Sequence, residues 1–230
     1  GILAIFLRKN LSPSHIYHEH ETRHSDRSPL VETFKDNFPE TLSAILFTAG
    51  YGVLFYIPLV YLPTYIEKFT IFGIDKALQM NTFGILFAIP LIPLFGKISD
   101  KFIRRKDILI LGSFLMAIFS VIIFKYLLTQ QSLAIVFSGQ LLFVFIIAIF
   151  LGCVPAMLVE IFPTEDRLTG YSVAFNIGLG VFGGTAPMIS TWLISATGNM
   201  FAPAMYLMLL SLVAAIGLSF VTDRSREPLR

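Results

Sequence analysis

The chain has 230 residues, of which 55% are hydrophobic and 14% charged, with a net charge of +2. Phe alone fills 23 positions, a balance far from that of a soluble globular domain, so most soluble-enzyme readings are excluded at once. A charge this small gives no reason to expect a nucleic-acid partner, and the single cysteine, Cys153, has no second cysteine in the chain to bridge to.

Residues 1–7 are apolar, begin with Gly rather than Met, and are followed at once by Arg8-Lys9. A secretory signal carries its basic residues before the apolar run, not after it. The stretch therefore reads as the last turns of a helix, and the chain as a piece of a longer protein. Residues 8–40 read as a polar linker of near-balanced charge. Within it, His20-Glu21-Thr22-Arg23-His24 matches the zinc-protease pattern of two histidines one helical turn apart with a Glu between them, and His15 and His18 lie close by. The stretch is hydrophilic on all sides, and Ser28-Pro29 soon ends any helix. No metal site and no cofactor are assigned to it.

From Thr41 onward the pattern changes. Residues 41–66, 77–96, 108–124, 126–159 and 168–222 contain no Asp, Glu, Lys or Arg. About 20 apolar residues in a helix cross the hydrocarbon core. The last stretch is long enough for two crossings and divides at Thr197-Gly198-Asn199. The reading is an all-α integral membrane protein with six transmembrane helices. Pro58, Pro63, Pro90, Pro93, Pro155 and Pro187 fall inside the spans, where neighbouring helices can satisfy the backbone groups they free. Small residues four apart mark expected close helix contacts: Gly84 with Ala88, Ala148 with Gly152 and Ala156, and Gly180 with Gly184.

Basic residues in the connections set the orientation. The side holding residues 8–40, 97–107, 159–167 and 223–230 carries 14 Lys and Arg, while the other side has only Lys68, Lys76 and Lys125. Positive-inside bias places the 8–40 segment and the C-terminus in the cytoplasm, in agreement with an even number of spans.

Two loops on the basic side carry more than charge. Between the second and third spans the chain reads Gly96-Lys97-Ile98-Ser99-Asp100-Lys101-Phe102-Ile103-Arg104-Arg105-Lys106. A carboxylate held beside arginines at a helix end can form a charge-assisted contact, and a contact present in only one conformation makes a gate. Between the fourth and fifth spans the chain reads Glu160-Ile161-Phe162-Pro163-Thr164-Glu165-Asp166-Arg167-Leu168-Thr169-Gly170-Tyr171-Ser172, leading to Asn176 and Phe182-Gly183-Gly184-Thr185-Ala186-Pro187. The first loop resembles the signature loop of the major facilitator superfamily, with Ile103 where that family usually has Gly. The second resembles the superfamily's metabolite:proton symporters, whose members include proline/betaine and dicarboxylate transporters. Here Glu165 replaces a basic residue and Phe175 replaces a tyrosine.

The resemblance covers residues 41–222 and implies the C-terminal six-helix half of a twelve-helix carrier, with residues 1–40 as the end of a preceding helix plus a cytoplasmic linker and 223–230 as a cytoplasmic tail. It further implies a multi-pass protein of the cell (inner) membrane that transports a small polar metabolite, an osmolyte such as proline or betaine or a carboxylate, with protons, lipid and the missing N-terminal half as partners. Gly96, Asp100, Arg104, Arg105, Glu160 and Arg167 are the expected cytoplasmic gate. Tyr51, Tyr56, Tyr61, Tyr171, Ser172 and Asn176 are the expected substrate pathway, with Tyr65 on the face of Tyr61. Tyrosine rings can hold a quaternary ammonium through cation–π contact, and a buried amide such as Asn176 is costly in hydrocarbon unless it is paired or functional. No carboxylate lies at membrane depth, so a coupled proton would be carried by the other half. A non-transporting remnant of a split gene and a metalloprotease built on the 20–24 motif are the competing readings.

Overall fold

The computed structural model describes residues 35, 37–129, 132–164 and 166–226. The initial apolar run, the 20–24 motif and Glu165 lie outside the described residues. Six helices among the described residues are long and apolar enough to cross a membrane: α1 (Phe38–Phe69), α2 (Ile74–Lys101), α3 (Arg105–Thr129), α4 (Leu133–Ile161), α5 (Arg167–Thr197) and α6 (Ala202–Phe220). There is no strand among the described residues. This is a multi-pass membrane protein.

The expected division of the last apolar stretch is present. Gly198 adopts the left-handed conformation, φ 67°, and its N–H closes on the Ile194 carbonyl at 2.8 Å, which ends α5. The helices outrun the charge-free stretches; α2, for example, takes in Asp75 and Lys76 at one end and Lys97 and Asp100 at the other. Long charged side chains at helix ends reach out to headgroup depth, so the charge pattern marks the hydrocarbon core rather than the helix.

α1 packs on α6 and α5, α4 on α2 and α3, and α3 closes the bundle against α6. Lipid tails are as apolar as leucine, so helices associate here through close fit rather than through exclusion of water. Backbone approach at glycine supplies that fit. A Cβ at Gly50 would strike the Leu210 carbonyl of α6, one at Gly152 the Ile92 carbonyl of α2, and one at Gly217 the Phe47 nitrogen of α1.

Gly180 and Gly184 are a correction, since a Cβ at either would meet nothing within 4 Å. The cause is a change of helical pitch. Residues Asn176–Gly183 are wound as π-helix, with bonds spanning five residues instead of four. The pair that meets α1 is therefore Gly178 and Gly183, five apart, both against Gly52. α1 has a matching π-helical turn at Ile57–Tyr61, between Leu54 and Pro63. α2 and α5 leave broad apolar faces uncovered, including Phe83 and Ile89 on one and Val181 and Met188 on the other.

Candidate functional site

A groove of about 590 Å³ runs between α1 and α5, near their C-terminal ends. Tyr61 and Thr64 line it from α1, and Thr191, Trp192 and Ser195 from α5, with Val60, Pro187 and Met188 completing the wall. Positions 188, 191, 192 and 195 make one stripe of an α-helix, so a single face of α5 supplies an indole and two hydroxyls. Thr191 donates its hydroxyl to the Pro187 carbonyl at 2.9 Å and Ser195 to that of Thr191 at 3.1 Å. Their donors are thus used within the helix; the Thr191 hydroxyl also meets the Tyr61 hydroxyl across the groove, and the Ser195 oxygen keeps acceptor capacity. The lining residues carry no charge. Aromatic faces beside hydroxyl acceptors suit an ammonium or quaternary ammonium group.

The sequence-predicted pathway residues separate into three places. Tyr61 lines the groove, though its side chain is almost wholly buried in the wall. Tyr51 does not: it is buried in the core, its ring stacked on Phe150 with centroids 6.0 Å apart. Tyr65 is also buried, with its hydroxyl donating to the Met200 carbonyl at 3.0 Å. Tyr56 is half-buried at the α1–α5 crossing, its ring beside Gly183. Tyr171 stacks on Phe175 at 5.6 Å at the far end of α5, and Ser172 beside it is half-buried. Asn176 is exposed where burial was expected: it opens the π-helical segment on a face that no described helix covers, and its amide donates back to the Ser172 carbonyl at 2.7 Å. Thr64, Thr191, Trp192 and Ser195 escaped the sequence reading. The available signal was the chain's single Trp lying on the same stripe as Thr191 and Ser195.

At the opposite end of the bundle, Arg105 opens α3 and bridges two helices, donating from one guanidinium nitrogen to Asp100 at the end of α2 and from the other to Glu160 at the end of α4. The side chains of Arg105 and Glu160 are 11% and 13% exposed, against 56% for Asp100. The second oxygen of Glu160, Oε2, is buried with no hydrogen-bond partner among the described residues. Gly96 lies on the face of α2 nearest Gly152 of α4, and its carbonyl accepts from Ser99 Oγ at 2.8 Å. With Ile103 at the turn, the N–H groups of Phe102 and Ile103 both close on the Ile98 carbonyl, at 2.9 and 3.1 Å. Arg104 is exposed, while Arg167 Nε donates to the Val159 carbonyl at 2.9 Å.

Beside this cluster a reciprocal cap joins α3 to the chain after α6. Lys106 Nζ donates to the carbonyls of Ser219 and Val221, both at 2.8 Å, and Asp223 Oδ2 accepts from the Lys106 N–H at 3.4 Å. Burial opposes ionisation of Asp223. Hydrogen bonds from Ser225 and Lys106 and the charge of Arg104 outweigh it and hold the carboxyl below the usual carboxylate range. Among the described residues no group of three or more His, Cys, Asp or Glu could hold a metal ion.

The family model of the Major Facilitator Superfamily matches residues 42–230. The chain belongs to that superfamily. Similar proteins include the proline/betaine transporter of Escherichia coli strain K12, 27% identical over 240 residues covering all of this chain and 47% of that protein. Two more are provisionally named proline/betaine transporters: one of Staphylococcus haemolyticus, 30% identical over 94% of this chain and 46% of the relative, and one of Staphylococcus aureus, 28% identical over 96% and 47%. The chain spans about half the length of these relatives. No solved structure gives a significant match.

Proposed function

We propose that this bundle is one wall of a secondary transporter for a small polar metabolite of the proline or betaine kind, a proposal that rests on the groove of Tyr61, Thr64, Thr191, Trp192 and Ser195 between α1 and α5. An indole or phenol face attracts a desolvated ammonium group by roughly 0.5–2 kcal/mol, enough to orient a betaine-like cation, and the hydroxyl oxygens add polar contacts. The groove lies beside the π-helical turn of α1, and such turns recur at functional sites. The names of the relatives support the same substrate class.

Alternating access in this superfamily is a rocking of two six-helix halves about a site between them. The uncovered faces of α2 and α5 suit such a second half. The carboxylates of the described helices, including Glu67, Asp75, Asp100, Asp107 and Glu160, stand near helix ends, so the coupling proton would bind in that second half. On this reading the protein lies in the cell (inner) membrane with residues 8–40 and 223–230 in the cytoplasm, and Arg105 with Asp100 and Glu160 closes the cytoplasmic end in one state and parts in the other.

Purified residues 1–230 in liposomes are expected to show no proton-dependent uptake of proline, betaine or dicarboxylates, and to gain it when a complementary six-helix half is supplied. Saturable uptake by the 230-residue chain alone would overturn the two-wall reading. For the orientation, single cysteines at Ser28 and at Ser225 in a Cys153→Ala background are expected to resist an impermeant thiol reagent in intact cells. Labelling at either site would reverse it.

A further inference from the structure

Leu59 lies in the π-helical turn of α1, and Pro63, four residues on, has no N–H to offer its carbonyl as a regular α-helix would. Carbonyls loosened from the regular ladder inside a bilayer are expensive without a donor. This one has a donor from outside the helix: Asn81 Nδ2 of α2 donates to the Leu59 carbonyl at 3.1 Å, and Asn81 Oδ1 accepts from Gln140 Nε2 of α4 at 2.9 Å. Gln140 is 1% exposed, and its own Oε1 has no hydrogen-bond partner among the described residues. Gly84, one turn along α2 from Asn81, leaves the room: a Cβ there would stand 3.1 Å from Val144 and 3.9 Å from Gln140 Nε2. Two neutral amides thus tie three helices beside the π-helical turn of α1.

That place separates two parts of α1. The π-helical turn Ile57–Tyr61 interrupts the regular bonds, and Leu62–Phe69, with Pro63 in its first turn, continues as α-helix. Tyr61 and Thr64, which line the groove, flank the break. We infer that Asn81 and Gln140 are positioning residues for the groove. They fix the α1 segment that carries Tyr61 and Thr64, and the Asn81–Leu59 bond is the contact that parts when this segment moves against α2. The bond is suited to parting, because it joins a neutral amide to a carbonyl and its loss strands no charge. The consequence for substrate rests on the transport reading above; the strap itself rests on geometry alone.

Pro63→Ala makes the strap testable by itself, because it returns to Leu59 the N–H that proline lacks. In the 230-residue chain in lipid nanodiscs, Asn81→Ala is expected to speed backbone hydrogen exchange over residues 60–66 by roughly 5–10-fold, the worth of one hydrogen bond. In a Pro63→Ala background the same substitution is expected to change it by less than about 2-fold. Asn81→Leu, which keeps side-chain volume, replaces Asn81→Ala if the alanine variant fails to fold. Equal effects in both backgrounds, or none in either, would overturn the strap. In a complete carrier Asn81→Ala is expected to raise KM for betaine with a smaller change in kcat, and Pro63→Ala to reverse much of that rise. An exchange effect with KM unchanged would overturn the positioning role. A complete carrier that takes up no substrate would refute the transport reading, while the exchange cycle still judges the strap.

Discussion

The two ends of this bundle are held by different chemistry. At the end carrying the basic loops, charges join the helices: Arg105 to Asp100 and Glu160, Lys106 to the end of α6, Asp223 to the start of α3. At the other end the ties are neutral. Asn81 and Gln140 span α1, α2 and α4, the Tyr65 hydroxyl reaches Met200, and the rings of Tyr65, Phe124 and Phe143 pack edge to face at 4.8 and 6.2 Å. A buried ion pair is costly to break from one side, because the charge left behind is stranded. A neutral amide contact costs far less to exchange. The charged end is therefore the costlier of the two to break.

The largest expected effect tests the charged end. Arg105→Ala leaves Glu160 buried and unpaired, and is expected to destabilise the bundle by about 3–5 kcal/mol, read as thermal unfolding in detergent. Asp100 is more than half exposed, so Asp100→Asn is expected to cost less than about 1 kcal/mol. Equal losses would show that burial does not rank these two partners, and the firm lock would have to be sought elsewhere.

The neutral end is expected to separate function from stability. Trp192 is 63% exposed at the mouth of the groove, so Trp192→Ala should move the unfolding free energy by no more than about 0.5 kcal/mol. In a complete carrier it should raise KM for betaine by roughly 3–30-fold, with Trp192→Phe between the two. A stability loss like that of Arg105→Ala, or an unchanged KM, would erase the contrast between the ends.

The charged end was also the more legible one in the sequence. Charges interrupt apolar stretches, so Asp100, Arg105 and Glu160 stand out as loop features, and the six spans with the turn at Gly198 follow from stretch length alone. The neutral end hides in charge-free runs. Asn81 and Gln140 are single amides whose meeting depends on how α2 packs on α4, which no local pattern reports. A π-helical turn leaves hydropathy unchanged yet rotates every later side chain. Gly178 and Gly183 meet α1, while Gly180 and Gly184, expected at a close helix contact, meet nothing within 4 Å. In α1 the reading at 100° per residue sets Tyr51 on another face from Tyr61, and in the structure Tyr51 stacks on Phe150 while Tyr61, the last residue of the π-helical turn, lines the groove. Asn176 read as buried because its stretch is apolar, but the face of α5 on which it stands is uncovered among the described helices.

The smallest expected effect concerns Asp223, where the charged end reaches the C-terminal segment. Its carboxyl is held below the usual carboxylate range, so the native state favours the ionised form. A group with a lowered native pKa contributes stability that is present above its unfolded value, about 3.9 for Asp, and that disappears as pH falls through the native value. The site is only half-buried, and solvent screens the contact with the N-terminus of α3, so the contribution is expected to be about 0.3–1 kcal/mol. Asp223→Asn should therefore lower the unfolding midpoint slightly at pH 7, and the gap to the unsubstituted chain should close as the pH is taken toward 3. A gap that widens on acidification would mean that the carboxyl is favoured in its protonated form, and the reciprocal cap with Lys106 would then not be electrostatic.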